Sequence, residues 1–491
     1  MTTPYSARRM HTVLVVFVYV TLGYAVGTNM LVPLLPRVQQ EYGLDEVQAV
    51  WVTISTLLTG ALFIPSLCRL ADIKGWRKQI LLVSVACVAV GGAVAALSDN
   101  LPTLLLGRGL QGVGAAATPM TSAIVNENFT PALRRIGLPV KAASLFAGAG
   151  AGGIMAALLV DEPSGFRILF WTSAAIPALG FLLIASLVPA TPTLPDSRIR
   201  AVDLPGAIGF VVPVAALVVG FSYASRWGWT SPAFLGLMVV GVLVFPVWVA
   251  VERRTRDPLV DLKVFFSRPI TIANISSVFV GFAIFGSMVS TSTYIQLPPV
   301  PGLGGLGKSG LAAALLILPA ELLMLGFGPV VGRLSARWGK GLFLVAGPAV
   351  QAVGYLVLIA RHGSLAAVVT AIVVIGVGTG LIGPVWALTY VEDIPPEHVG
   401  RVYGIAPILS QGVGGSLAGA LFGAILVANR LPGGKLPSEG AFIGFWWLAA
   451  GCALVAGLCG AAYLKNYGTG GPRTRREAPG AELQRGAPTA V

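Results

Sequence analysis

The sequence predicts an all-α polytopic membrane protein, and three observations carry that expectation. Of 491 residues, 55% are hydrophobic and only 11% are charged, where a soluble chain carries about 25% charged residues. So few charges cannot cover a water-facing surface, but they suffice where most of the surface meets lipid. The apolar residues fall in fourteen solid runs, each near the ~20 residues that cross a hydrocarbon core of roughly 30 Å. The strands of a β-barrel would instead alternate in hydrophobicity over about 10 residues. Finally, Lys and Arg are strongly biased between alternate links.

The predicted spans are 12–34, 48–68, 79–97, 102–125, 140–160, 167–188, 204–224, 232–251, 269–293, 311–332, 341–360, 365–390, 400–428 and 442–464. Span 1 is too long for a signal peptide, holds Pro33 and Pro36, and is followed by no small-residue cleavage site. Span 2 ends in the polar link "CRLADIKGWRKQ", Cys68 to Gln79. Gly75 and Asp72 are expected in its tight turn, where Gly adopts a conformation that a side chain forbids. Asp72 can accept from a helix N-terminus, and Arg77 and Lys78 can pair with acids or lipid phosphate. Span 4 carries "RGLQGVGAAATP", with Arg108 roughly 9 Å down the helix. A cation at that depth costs about 3 kcal/mol or more unless it finds partners or water; Gln111 lies near it on the same face. In span 5, "GAGAGG" (Gly148 to Gly153) puts Gly148 and Gly152 on one face, and Ala149 and Gly153 on another. Small residues so spaced let a second helix come close and slide.

Span 6 opens with "FRILFWTSAAIP", spans 7 and 8 are joined by "RWGWTSP", and "VERRTRDPLVDLKVF" leads to span 9. The next link contains "GLGGLGKS", Gly302 to Ser309, which fits the phosphate-loop pattern GxxxxGK(S/T). That mechanism needs a preceding strand; here Pro298, Pro299 and Pro301 precede it, and an ordinary Gly-rich link is expected. Span 10 contains "LLILPAELLMLGFGPV", Leu315 to Val330, in which Glu321 is the one charged residue. It lies about 15 Å into the helix, near the midplane. Facing lipid it would be expensive; facing a wet cavity it is tolerable. Pro319 denies the helix one hydrogen bond just before it, and Gly326 and Gly328 follow. Such a carboxylate can take a proton on one side and release it on the other, or trade it for a cationic substrate. A protonated glutamic acid bonded in a helix contact is the alternative.

Orientation follows from the cations. With both termini in the cytoplasm, 25 Lys and Arg fall on the cytoplasmic side, Lys141 among them, against 7 outside, with Arg108 within a span. This accounts for the net charge of +13 without nucleic acid. The four cysteines (Cys68, Cys87, Cys452, Cys459) lie in or at the ends of spans without metal-ligand spacing. Three scattered histidines and no HExxH or GxSxG pattern point away from an enzyme. Neither a metal nor a cofactor is expected.

The chain also repeats itself. "RLADIKG" and "RLSARWG" set Arg69 against Arg333 and Gly75 against Gly339, at one and the same offset. Gly112 against Gly378 and Gly152 against Gly414 stand at nearly that offset again. A plain six-plus-six protein would repeat at the length of its first six spans, which end near position 190; the surplus matches two extra spans. The expected organisation is an N-terminal six-helix bundle (1–190), an inserted two-helix hairpin with its links (191–268), a C-terminal six-helix bundle (269–464) and a cytoplasmic tail (465–491).

These motifs together resemble the major facilitator superfamily, and within it the fourteen-helix branch of bacterial drug:proton antiporters. The likeness covers the chain to about residue 464. It rests on Leu70, Asp72, Gly75, Arg77 and Lys78 in the first loop, on Arg108, Gln111, Gly112 and Gly114, and on Gly148, Gly152 and Gly153. The sequence departs from the pattern at Cys68, Ile73 and Ala149. The branch's acid in span 1 is also missing; aligned on Leu35-Pro36, its place is held by Gly27. The resemblance implies the major facilitator fold, with a cytoplasmic loop latch at Asp72, Gly75, Arg77 and Lys78. It implies a cavity in which Arg108 and Gln111 assist proton transfer, and antiporter-type glycines at Gly148, Gly152 and Gly153. The expected function is proton-coupled export of hydrophobic or amphipathic drugs or antibiotics across the bacterial inner membrane by a monomer, with Glu321 taking the role of the missing acid. A dedicated exporter of a single antibiotic and an importer of the same fold remain alternatives.

Overall fold

The computed structural model describes residues 5–44, 46–159, 162, 165–190, 204–255, 258, 260–300, 302–393, 402, 404–431 and 437–467. The tail beyond 467 and the link 191–203, which the sequence assigns to the tail and to the inserted segment, lie outside the described residues.

The helices are α1 (Ala7–Asn29), α2 (Leu31–Tyr42), α3 (Glu46–Lys74), α4 (Arg77–Ala96), α5 (Leu101–Val113), α6 (Ala117–Asn128), α7 (Pro131–Leu159), α8 (Gly165–Leu187) and α9 (Leu204–Trp227). They continue with α10 (Pro232–Arg254), α11 (Leu262–Phe265), α12 (Arg268–Gln296), α13 (Gly310–Trp338), α14 (Lys340–Arg361), α15 (Leu365–Glu392), α16 (Ser416–Ala428) and α17 (Glu439–Tyr467). Among the described residues, thirteen uninterrupted helical stretches are long and apolar enough to cross a membrane. The predicted fourth span, 102–125, is not among them: it is covered by two shorter helices, α5 and α6, joined by a 3₁₀ turn, Gly114–Ala116. Pro119 explains the break, since it has no N–H to give the Ala115 carbonyl. Pro33 likewise leaves the Asn29 carbonyl without its i+4 donor, and span 1 divides there into α1 and α2. The thirteenth predicted span enters as a π-helical segment, Ile408–Gly415, before α16.

Two glycines at nearly the offset of the loop arginines, Gly152 and Gly414, make similar close helix contacts. Gly152 brings α7 onto α1, where an added Cβ would stand 2.7 Å from the Val26 carbonyl oxygen. Gly414 presses the π segment onto α12 in the same way, against Val278 and Phe282. α9 packs on α10, α3 and α16. α10 leaves Val239, Val242, Leu243 and Val247 exposed, as a lipid-facing helix does.

The two halves are joined unevenly. At the end bearing the α3–α4, α6–α7 and α13–α14 links, here called the basic end, one apolar cluster runs through α1, α3, α4, α6 and α7 into Leu388, Tyr390, Ile405 and Ile408 of the second half. At the opposite end the halves have separate clusters: Met30, Val52, Leu104 and Phe170 in the first, and Tyr294, Leu358, Phe442 and Trp446 in the second.

Candidate functional site

The helix pair α7–α13 forms the seam between the halves. Glycines set how closely the two approach: an added Cβ at Gly328 would meet the Pro139 carbonyl oxygen at 2.9 Å, and one at Gly332 would collide with the Arg135 carbonyl. Further along the same seam, the space above Gly150 is filled by Glu321, whose Cγ would lie 2.9 Å from an added Cβ. Glu321 is thus aimed at the other half of the molecule, in the middle of the glycine run that the sequence singled out. It is 3% exposed, and its Oε2 has no hydrogen-bond partner among the described residues. α13 reaches its other neighbour, α15, through Ala320, Met324 and Phe327, which pack on Gly376 and Gly380.

The predicted glycines divide their work. Gly148 and Gly152 face α1 within the first half, and Gly153 faces open space. The contact between halves belongs to Gly150, which sequence reasoning passed over because it saw only the four-residue spacing of its neighbours.

Arg108 is 2% exposed. Its Nε donates to the Val52 carbonyl oxygen at 3.1 Å and its Nη1 to Gln111 Oε1 at 2.5 Å. Gln111 Nε2 in turn donates to Ser173 Oγ at 3.0 Å. The guanidinium is therefore held by groups of its own half, and a chain of polar contacts links α3, α5 and α8.

The first loop differs from expectation in one respect. Asp72 is not in the turn; its backbone is in the last turn of α3, which runs to Lys74. The turn rests on Gly75, at φ +72°, in the left-handed region open to glycine. Arg77 pairs with Glu127 at the end of α6. Lys78 Nζ donates to the Ala185 and Val188 carbonyls at 2.9 and 2.5 Å, satisfying the C-terminal end of α8. The repeat extends to these ions. Lys340 follows Arg77, and Asp393 follows Glu127, at nearly the offset of the loop arginines, and Lys340 pairs with Asp393 at 2.7 Å. Tyr463 also donates to Asp393, at 2.5 Å. A further pair crosses the halves, Arg135 of α7 to Glu392 of α15 at 3.3 Å, and Glu392 also meets Lys340 at 3.3 Å. The offset could have revealed the Lys340–Asp393 pair from sequence; nothing local marks Arg135–Glu392.

A second correction concerns Lys141, counted among the cytoplasmic cations. α7 begins at Pro131, so Lys141 is inside a helix and 0% exposed. The Gly-rich link at 302–309 is used up as a turn: the N–H groups of Gly307 and Lys308 donate to the Leu297 and Ile295 carbonyls, and Ser309 caps α13.

The arrangement is two helical halves meeting along a glycine-lined seam with a buried acid in it, closed at one end, and it has counterparts. Two solved structures share the architecture: the human organic anion transporter MFSD10, at a TM-score of 0.64 and 16% identity over 92% of this chain and 99% of the other, and the proton:xylose symporter XylE, at 0.65 and 15% over 94% and 96%. In sequence the chain is 30% identical over 401 residues to the multidrug resistance protein Stp of Mycobacterium tuberculosis, covering 80% of this chain and 72% of the relative. It is 28% identical over 400 residues to the tetracenomycin C resistance and export protein of Streptomyces glaucescens, covering 81% and 72%. Residues 17–419 match the Major Facilitator Superfamily profile. A repeat of membrane-spanning helices, the seam between its halves and the agreement of profile and relatives over most of the chain have one reading: this multi-pass membrane protein belongs to the major facilitator superfamily, and it is a transporter, not an enzyme.

Proposed function

We propose that this transporter exports hydrophobic or amphipathic drugs or antibiotics in exchange for protons, by alternating access across a bacterial plasma membrane with both termini in the cytoplasm. The drug-resistance relatives support export. The observation that carries the coupling is Glu321, a buried acid without a hydrogen-bond partner on Oε2 among the described residues, seated on Gly150 of the opposite half. A carboxylate there changes its surroundings whenever the seam opens, and a group whose surroundings change can bind a proton in one state and release it in the other. The bundles 1–190 and 269–464 rock about this seam, and the inserted 191–268 rides on them. With the basic end in the cytoplasm, the arrangement described above is the outward-facing one. Asp72, Gly75, Arg77 and Lys78 shape the loop that latches it, assisted by Arg135–Glu392. Arg108 and Gln111 supply a fixed positive field on the first half's side. Everted vesicles energised to an acid interior test the proposal: ethidium, or an amphipathic antibiotic from a broad panel, should dissipate the pH gradient only when the protein is present. A gradient indifferent to every compound would count against proton-coupled export. The Streptomyces relative, whose name gives one antibiotic, favours a second reading, export of a single compound; a response to one member of the panel alone would select it.

A further inference from the structure

Lys141 has no place in the scheme above. It lies on α7, and its Nζ is within hydrogen-bond distance of three oxygens of α6: the Thr118 carbonyl at 2.7 Å, Thr121 Oγ1 at 3.1 Å and Ser122 Oγ at 2.6 Å. None of these is a carboxylate. The acids on helices packed against α7 are Glu41 on α2, Glu127 on α6, Glu321 on α13 and Glu392 on α15. Of these, Glu127 pairs with Arg77, Glu392 with Arg135 and Lys340, and Glu321 sits on Gly150, about 13 Å along α7 from Lys141. The basic residues of α7 itself, Arg134 and Arg135, do not share the three oxygens; those on the helices packed against it are Arg8, Arg9 and His11 on α1, Arg37 on α2, Arg167 on α8, and Arg333 and Arg337 on α13.

The composition of the cage decides what it can hold. An ammonium has three N–H donors, and three acceptors surround it. In that form the hydroxyl protons have partners of their own, from Thr121 to the Ala117 carbonyl at 2.9 Å and from Ser122 to the Thr118 carbonyl at 3.0 Å. A neutral amine donates twice and accepts once. Turning one O–H of Thr121 or Ser122 toward Nζ supplies that bond without moving a heavy atom. The cage therefore satisfies both protonation states, whereas the partners of Arg108, a carbonyl and an amide oxygen, suit only a fixed cation. Lys is almost never fully buried unless paired, and no carboxylate is among the groups that bond this one. Lys141 also follows Pro139 and Val140, where α7 meets Gly328 of α13, so its cage joins α6 to the helix that carries the seam.

We infer that Lys141 is a second proton-exchanging site of this transporter, held by Thr118, Thr121 and Ser122. The ammonium gives up one proton to become the amine, and a hydroxyl of the cage then donates to the nitrogen lone pair. The role of this site in transport rests on the coupling proposed above, but its titration does not. The purified full-length protein in detergent micelles is titrated from about pH 6 to about pH 9, alongside Lys141→Met and Lys141→Arg. Both variants should release about one proton fewer per chain than wild type. Lys141→Arg keeps a cation in the cage and guards against a folding failure of the methionine. Equal release by all three overturns the inference. In ethidium-loaded proteoliposomes, Lys141→Met should still pass ethidium down its gradient but carry fewer protons per dye; an unchanged ratio overturns its part in coupling. If the wild type moves no ethidium, the export reading fails while the micelle titration still judges Lys141.

Discussion

Gly150→Ala puts one methyl group into the seam, and the structure fixes what it meets. The new Cβ would stand 2.9 Å from Glu321 Cγ and 3.0 Å from its Cβ, both well inside the 3.4 Å at which ordinary contact begins. The obstructing atoms are next to the α13 backbone, so the acid cannot simply swing its far end away. Overpacking of this kind costs about 1–3 kcal/mol. The cost falls only on the arrangement in which α7 and α13 touch here, so it shifts the balance toward the one in which they part by about 5- to 150-fold. A minor state held at about 1% would rise to about 5% or more. Spin labels at Ala132 and Arg337, exposed residues at the basic end of α7 and α13, read this directly by pulsed dipolar spectroscopy. The longer-distance population should grow in Gly150→Ala and stay unchanged in Gly153→Ala, whose added Cβ would meet nothing within 4 Å. Identical distributions in wild type and Gly150→Ala would refute the reasoning: they would mean the seam absorbs the methyl locally and that Glu321 is not tightly seated.

Arg135→Ala removes the partly buried ion pair with Glu392 across the halves. A pair of this kind is worth up to about 1 kcal/mol, so the same labels should show up to about a fivefold gain in the open basic end, and no gain would remove this pair from the gate. Orientation is tested on a background lacking the four native cysteines. Lys308→Cys, exposed in the link before α13, should react with an impermeant maleimide in whole cells, and Ala132→Cys only after permeabilisation; the reverse pattern would invert the topology.

The fold was legible because each span is a solid apolar run and because the repeat keeps nearly constant spacing between loop arginines and helix glycines. Glu321 was legible for a similar reason: a lone acid among apolar, Gly and Pro neighbours cannot be placed cheaply. Hydropathy could not see where helices break or extend. The turn at Gly114–Ala116 is itself apolar, and α7 begins at Pro131, well before its predicted start at 140, because Arg134 and Arg135 interrupt the apolar run that hydropathy follows. That displacement is what moved Lys141 from the cytoplasmic edge of the predicted span, 140–160, to a position ten residues inside the helix. Contacts across the seam lie further beyond reach. Gly150 and Glu321 meet from opposite halves of the chain, and nothing in either local stretch says which of several glycines will face the other half.

The central claim is that Glu321 couples protons to export, and purified protein in proteoliposomes tests it directly by recording ethidium-driven proton movement. Glu321→Gln should insert and fold as wild type does, since Gln keeps the side-chain volume, yet abolish the proton movement. Glu321→Asp should retain part of it. If Glu321→Gln exports ethidium at the wild-type rate with undiminished proton counterflow, the acid is a structural residue of the seam and the account is wrong.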